Sequence, residues 1–350
     1  QGAAIEVKYA NGFDFFNSTI GQLILRIYLK VLQIYPAAYG AAYGWGNNSR
    51  LALMGRQLIS SYLARRMSSY IRSINPAAII CTHATPAGLV TYLKQHQMLF
   101  IPAMAVVTDY VVHRLWVYPE LDQYFVASDE LASYLQDHGI DRSRITVTGI
   151  PVGRCFSSTI NKEDIHASLA LAKDSKTVLI MGGGAGVLPM EEVISACDTI
   201  GKRLQLIAVC GNNEKLRKKL ADKARVLQNG VLKPLGFVDN VHELMAIADI
   251  LVSKPGGVTS AEALSQGLPF IIYRPIPGQE EANARYLTEH SVARQVDSPA
   301  QLKAVLDQFL FIDQAEFADM RLRAASLGRP GAAEAAASRI LEIIRQNLLD

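Results

Sequence analysis

At Lys254 an apolar run, "DILVS", gives way to Pro255-Gly256-Gly257-Val258-Thr259 and then to helix-forming residues, "TSAEALSQG". The first backbone N–H groups of a helix have no partner within it, and the helix dipole adds positive character there. An anion, most often phosphate, fits such a place. Glycine would let a diphosphate approach the backbone, and Thr259 has a hydroxyl that can cap the helix or donate to a phosphate oxygen. A capped helix after a tight turn would need no ligand to explain the same residues. Two further apolar runs end in small residues, at "MGGGAGVLP" (181–189) and "CGNNEKL" (210–216). A fourth stretch, "YRPIPGQEEANARYL" (273–287), carries Gln279, Glu280 and Asn283. Carboxylate and amide side chains suit sugar hydroxyls, which both donate and accept; a solvated helix start would also explain them. Neither dinucleotide nor P-loop chemistry is supported. "GGGAGV" does not follow G-x-G-x-x-G, and G-x-x-x-x-G-K-[ST] is absent.

For these loops to act together, one parallel sheet must carry them at its carboxyl edge, where ligands of open α/β folds sit. The sequence supplies such a sheet. Apolar runs at 77–83, 103–109, 123–128, 144–149, 176–183, 204–211, 231–237, 249–254 and 269–274 read as strands covered on both faces. Helical stretches at 131–138, 190–200, 214–228, 241–248 and 282–290 alternate with them, the pattern of doubly wound α/β domains. A polar stretch at 155–174 has no strand signal and precedes a fresh strand ending in glycines. We therefore expect a first domain over 1–157, a second over 158–325, and an alanine-rich C-terminal helix within 326–350 that packs back toward the first domain. Residues 1–10 resemble a second strand, so the first domain is expected to lack its opening strand–turn–helix unit.

The 350 residues suffice for two cores. No apolar run is long enough to span a bilayer, and the chain opens without a secretory signal. Cys81, Cys155, Cys197 and Cys210 lack paired or metal-like spacing, as expected in a reducing cytosol. The seven histidines form no metal-binding motif. A net charge of +3 hides an asymmetry. Residues 1–100 hold nine Lys/Arg against Glu6 and Asp14, or +7, which leaves −4 for the rest. Such a basic segment calls for an anionic partner.

The run "LGFVDNVHELMAIADILVSKPGGVTSAEALSQGLPFIIYRPIPGQEEANARYL" resembles the nucleotide-sugar half of glycosyltransferase family 28. "THATPAG" (82–88), "VVTDYVVHRLWVYPELDQYFVAS" (106–128) and "VTGIPV" (147–152) narrow the resemblance to the monogalactosyldiacylglycerol synthase and processive diacylglycerol glucosyltransferase group. It implies the α/β GT-B fold, two Rossmann-like domains facing a cleft. It also implies inverting transfer of a hexose from a UDP-sugar to diacylglycerol. Gly236, Phe237 and Val238 would hold the uracil, Gly256 to Thr259 the diphosphate, and Glu262 the ribose. Gln279 and Glu280, with Asn283 nearby, would hold the hexose. Gly183, Gly184 and Asn212 would face the same crevice. A peptidoglycan lipid-linked N-acetylglucosamine transferase and a catalytically silent UDP-sugar binder are the alternatives.

Within that resemblance, the base that deprotonates the acceptor hydroxyl is sought at Asp109 or His83, both at strand ends of the first domain. His83 could instead bond a backbone carbonyl, and Asp109 could cap a helix. The match of "TD" and "HRLW" favours Asp109, with His113 and Trp116 shaping the acceptor site. No metal or other cofactor is expected, since no DxD pair occurs and Glu280-Glu281 and Glu191-Glu192 lie at helix starts. Residues 19–72 mix Leu, Ile, Tyr and Trp with Arg and Lys at near-helical spacing. They suit an anionic membrane surface, which would put the protein peripherally on the inner face of the cell membrane. Ordinary core helices with solvated basic faces would give the same pattern. Nucleic acid is disfavoured, because no recognised binding motif accompanies the charge.

Overall fold

β-branched and apolar runs too short for helices become strands, and they sort into two sheets whose central strands are buried on both faces. In this computed structural model, residues 5–11, 63, 66–182, 188–200 and 204–349 are described. The expected basic helices within 19–72 therefore lie mostly outside the described residues; 66–74 is helical. The first sheet runs β1 (Ile79–Cys81), β2 (Ala103–Val106), β3 (Gln123–Val126) and β4 (Ile145–Val147), in that order and all parallel. Helices α1 (Ala84–Gln95) and α2 (Asp129–Asp137) cover it. His83 and Ser128 cap their N-termini by accepting the N–H groups of Thr85 and Leu131.

A connecting helix, α3 (Lys162–Ser168), leads to a six-stranded parallel sheet. Its strands are β5 (Lys176–Met181), β6 (Leu204–Val209), β7 (Gly230–Leu235), β8 (Ile250–Ser253), β9 (Phe270–Tyr273) and β10 (Ala293–Val296). Their spatial order is β10-β9-β8-β5-β6-β7. The chain thus walks outward from β5 to β7, then returns to β8 on the other side of β5. Such a reversal marks the usual ligand position in these sheets, beyond the carboxyl ends of β5 and β8. The Ser253 hydroxyl donates to the Met181 carbonyl at 2.8 Å and ties those two ends together.

Between and after these strands lie α4 (Met190–Asp198), α5 (Glu214–Ala224), α6 (Val241–Ile247), α7 (Gly257–Ser265), α8 (Gln279–Glu289), α9 (Pro299–Asp307), α10 (Gln314–Leu327) and α11 (Ala332–Leu349). Strand β10 was not anticipated. "ARQV" has buried ends and an exposed centre, so it offers no apolar run and its pairing with β9 makes it an edge. Helix α11 returns to the first sheet, where Ala336, Ile340, Ile343 and Ile344 pack with Met104, Val106 and Phe125.

The domains are docked through one continuous apolar cluster that includes Ile150 and Phe156 from the first and Leu264 and Leu287 from the second. Tyr110 and Tyr286 stack across the junction, ring centres 4.6 Å apart. Offset aromatic pairs of this kind contribute about 0.5–1.5 kcal/mol beyond their burial.

Candidate active site at the facing strand ends

Because both sheets are parallel, all their loops of interest leave from carboxyl edges, and docking turns those edges toward each other. The second domain contributes the loops after β6, β7, β8 and β9. Opposite them, β1 leads to His83 and β2 to Thr108 and Asp109.

The loop after β8 starts α7 at Gly256, which has extended backbone angles and makes no side-chain cap hydrogen bond. The first α7 bond runs from the Ser260 N–H to the Gly256 carbonyl at 2.9 Å. Consequently the amides of Gly257, Val258 and Thr259 have no intrahelical acceptor. Space beside Gly256 is open, with nothing within 4 Å of where a Cβ would sit. Gly257 answers to a different demand. A Cβ there would lie 2.0 Å from the Thr108 carbonyl oxygen, so only glycine permits this approach of the two domains. The two glycines that look alike in sequence therefore do separate jobs: Gly256 leaves a space and Gly257 a contact. Val258 is exposed, and Thr259 is half-buried.

Glu262 lies on the second turn of α7 and is half-buried. Burial alone lifts its pKa from 4.5 to about 7. Among the described residues nothing hydrogen-bonds to its carboxylate. Such a group gains from hydroxyl donors that a ligand brings.

After β9 the chain turns through Pro275-Ile276-Pro277 to Gly278, whose φ of 102° favours glycine. The Glu281 carboxylate accepts the Gly278 N–H at 3.3 Å and completes the start of α8. Glu280 turns inward, where its carboxylate accepts the Ile276 N–H at 2.7 Å. Burial raises its pKa, opposed by that bond and by Lys254. Gln279 and Asn283 instead reach across to the first domain. The Gln279 amide donates to Asp109 Oδ2, and Asn283 Nδ2 donates to Asp109 Oδ1 at 3.1 Å. Burial raises the Asp109 pKa, and these two donors together with His83 pull against it.

His83 is open at its surface, yet enough protein surrounds the ring for desolvation to lower its pKa, with Asp109 opposing. Its Nδ1 accepts the Thr85 N–H at 3.2 Å. A neutral imidazole has one accepting nitrogen, so His83 as the α1 cap has no lone pair left for a substrate proton.

Other expected residues fall nearby or elsewhere. Gly236 and Val238 are half-buried after β7, and the Phe237 ring is 74 % exposed. Asn212 is exposed after β6. His113 is half-buried in the loop after Asp109, whereas Trp116 is only 4 % exposed and belongs to the first-domain core. Gly183 and Gly184 lie outside the described residues. Lys254 opens the glycine stretch, and its residue type alone implies no role there. Its ammonium is buried and donates to the Arg274 carbonyl, which joins the loop before α7 to the loop before α8. Burial lowers its pKa against the pull of Glu280. A lysine directly after a buried strand was the available signal.

Among the described residues no group of three or more His, Cys, Asp or Glu could hold a metal ion. No described helix is long and apolar enough to cross a membrane.

Comparison with known proteins bears on the family and the fold. Residues 1–152 match the monogalactosyldiacylglycerol (MGDG) synthase family, and residues 177–334 match the glycosyltransferase family 28 C-terminal domain. A processive diacylglycerol beta-glucosyltransferase from Bacillus licheniformis is 29 % identical over 341 residues, covering 96 % of this chain and 86 % of that protein. The enzyme of the same description from Bacillus cytotoxicus is 31 % identical over 329 residues, covering 93 % and 79 %. Among solved structures, Staphylococcus aureus MnaA with UDP superposes with a TM-score of 0.59 at 16 % identity, covering 81 % of this chain and 80 % of that one. Acinetobacter baumannii MurG gives 0.58 at 15 %, covering 80 % and 77 %. At such identities the structural matches establish the two-domain GT-B architecture alone. The sequence matches go further: the chain belongs to glycosyltransferase family 28, in the group of monogalactosyldiacylglycerol synthases and diacylglycerol glucosyltransferases.

Proposed function

We propose that the protein moves a glucosyl group from UDP-glucose to the free hydroxyl of diacylglycerol, with inversion at the anomeric carbon. The observation that carries this reading is the pairing of open α7 amides with a half-buried carboxylate, Asp109, on the opposite wall. One is suited to the leaving group and the other to the nucleophile.

In this account the diphosphate rests on the amides of Val258 and Thr259 beside the open space at Gly256. Glu262 accepts from the ribose hydroxyls, and the exposed Phe237 ring, with Gly236 and Val238, borders the uracil. Glu280 and Gln279 would meet the hexose, with Asn212 bordering the crevice. Asp109 takes the proton of the acceptor hydroxyl as its oxygen bonds to the anomeric carbon. The bond from that carbon to the diphosphate oxygen breaks, and its electron pair leaves with UDP. Negative charge growing on the diphosphate is met by fixed N–H dipoles that need no rearrangement, the general advantage of preorganised sites. Asp109 suits the base role better than His83, whose accepting nitrogen is occupied by its capping bond. Burial also brings Asp109 closer to the pKa that a base needs at neutral pH.

Relatives named for diacylglycerol support the acceptor. The basic, aromatic-rich sequence of residues 19–72 supports contact with an anionic leaflet and, with it, a reaction at the cytoplasmic face of the membrane. The test is product analysis with UDP-glucose, UDP-galactose and UDP-N-acetylglucosamine offered in parallel to diacylglycerol in anionic vesicles. Glucosyldiacylglycerol from UDP-glucose is expected. Binding of UDP without transfer from any donor would overturn the catalytic reading, and transfer from UDP-N-acetylglucosamine alone would overturn the donor.

A further inference from the structure

Asn283 was expected beside the hexose, but its amide is committed elsewhere. The residue is 1 % exposed. Its Nδ2 donates both to Asp109 Oδ1 and to the Pro255 carbonyl, each at 3.1 Å. Its Oδ1 accepts the Tyr110 N–H, also at 3.1 Å. An amide nitrogen has two hydrogens, so Asn283 has no donor left for a sugar hydroxyl. The three partners come from both sides of the junction. Asp109 and Tyr110 belong to the first domain, whereas Pro255 immediately precedes the open α7 amides.

We propose that Asn283 is a positioning residue: one buried amide fastens the Asp109 carboxylate to the loop that seats the diphosphate, so the carboxylate is aimed only while the two domains are docked. This inference rests on Asp109 being the base. Docking then completes the site in a single step. It brings Gly257 against Thr108, stacks Tyr286 on Tyr110 and delivers the Asn283 and Gln279 donors to Asp109. When the domains part, Asp109 loses both amides and its fixed direction. Transfer thereby requires the docked state, and the base is not aimed at water in the open one.

The groups that bear on Asp109 charge are few. His83 faces it from the start of α1 and acts on it by charge. On the second-domain side Glu280 is engaged by the Ile276 N–H, and Lys254 is engaged by the Arg274 carbonyl. The flanking phenols of Tyr110 and Tyr286 are held well above the neutral range by burial. Removing the Asn283 donor therefore leaves the burial of Asp109 less opposed, and its pKa rises.

The experiment is the pH profile of kcat, with KM for UDP-glucose, for Asn283→Leu, Asn283→Asp, Gln279→Met and Asp109→Asn. For Asn283→Leu we expect kcat at neutral pH to fall by about 10- to 100-fold, because a small misplacement of a reacting group has that effect. The acid limb of the profile should move upward by about one pH unit, as for a carboxylate that loses a donor. KM should change less than about threefold, since no ground-state contact to the donor is removed. Asn283→Asp keeps an acceptor for the Tyr110 N–H but sets a second carboxylate against Asp109, so the limb should move further. Gln279→Met, at the half-buried start of α8, reads the same limb if Asn283→Leu does not fold. An unmoved limb in these variants, or a KM increase in Asn283→Leu that accounts for the whole loss, overturns the proposal and returns Asn283 to the sugar. Asp109→Asn separates the two levels. If it is inactive while the limb stays put elsewhere, only the positioning role falls; if it turns over normally, the base assignment falls and the positioning role with it.

Discussion

Replacing Glu262 with Gln should stabilise the protein and weaken its hold on the donor, two effects of opposite sign from one change. In the folded protein the carboxyl has a pKa of about 7, raised from 4.5 by burial. Between those values the folded chain binds a proton that the unfolded chain does not, so stability falls as pH rises through this window and is fully reduced above 7. The full shift corresponds to about 3 kcal/mol; Glu262 keeps some solvent contact, so about 1–2 kcal/mol is the fairer figure. Glutamine carries no charge and escapes this penalty. Relative to the unmodified protein, Glu262→Gln should melt about 2–8 °C higher at pH 8.5 and at the same temperature at pH 4.5. Binding goes the other way. If the ionised carboxylate holds the ribose, affinity for UDP-glucose should drop about tenfold between pH 8 and pH 6, following the ionised fraction. The glutamine variant should show a flat profile and bind about tenfold more weakly at pH 8, reflecting loss of a charge-assisted bond. UDP-glucose is the right titrant, since the terminal phosphate of UDP itself ionises near pH 6. Calorimetry at four pH values and thermal melts at the same values decide it. Parallel pH profiles for the two proteins would refute the reasoning.

Asp109→Asn should lower kcat by about 10²- to 10⁴-fold, the usual contribution of a general base, while UDP affinity by calorimetry changes less than about twofold. Gly257→Ala puts a methyl group 2.0 Å from the Thr108 carbonyl; we expect loss of the docked state, seen as a larger radius of gyration by small-angle scattering and lost transfer, with each domain still folded. Lys254→Met should disconnect the loops before α7 and α8 and raise KM for the donor about tenfold. Binding to anionic vesicles should weaken steeply from 50 to 500 mM salt, as expected for attraction of about 1 kcal/mol per basic residue; salt-independent binding would exclude the electrostatic part.

Which of these features showed in the sequence follows from whether their cause is local. Nine of the strands fall within runs that read as strands in the sequence; the central ones, such as β5 with "VLIM" at 178–181, stand out because a strand covered on both faces must be apolar throughout. Strand β10 has half its residues in solvent, and its pairing with β9 is a tertiary fact. The open helix start was legible because a buried strand, two glycines and helix-forming residues lie within a few positions. The separate jobs of Gly256 and Gly257 were not, since the Thr108 carbonyl that distinguishes them is far away in the chain. Asn283 shows the same limit. Its identity suggested a sugar contact, but its partner Tyr110 is 173 positions away. Trp116 sits in a motif that fits an acceptor site, and only packing shows the ring in the core.

The most direct test of the central claim is a crystal structure of this protein with UDP-glucose bound. The account predicts diphosphate oxygens within hydrogen-bonding distance of the Val258 and Thr259 amides, ribose hydroxyls on Glu262, and the anomeric carbon turned toward Asp109. A nucleotide bound away from the start of α7, or a hexose pointing away from the first domain, would contradict it.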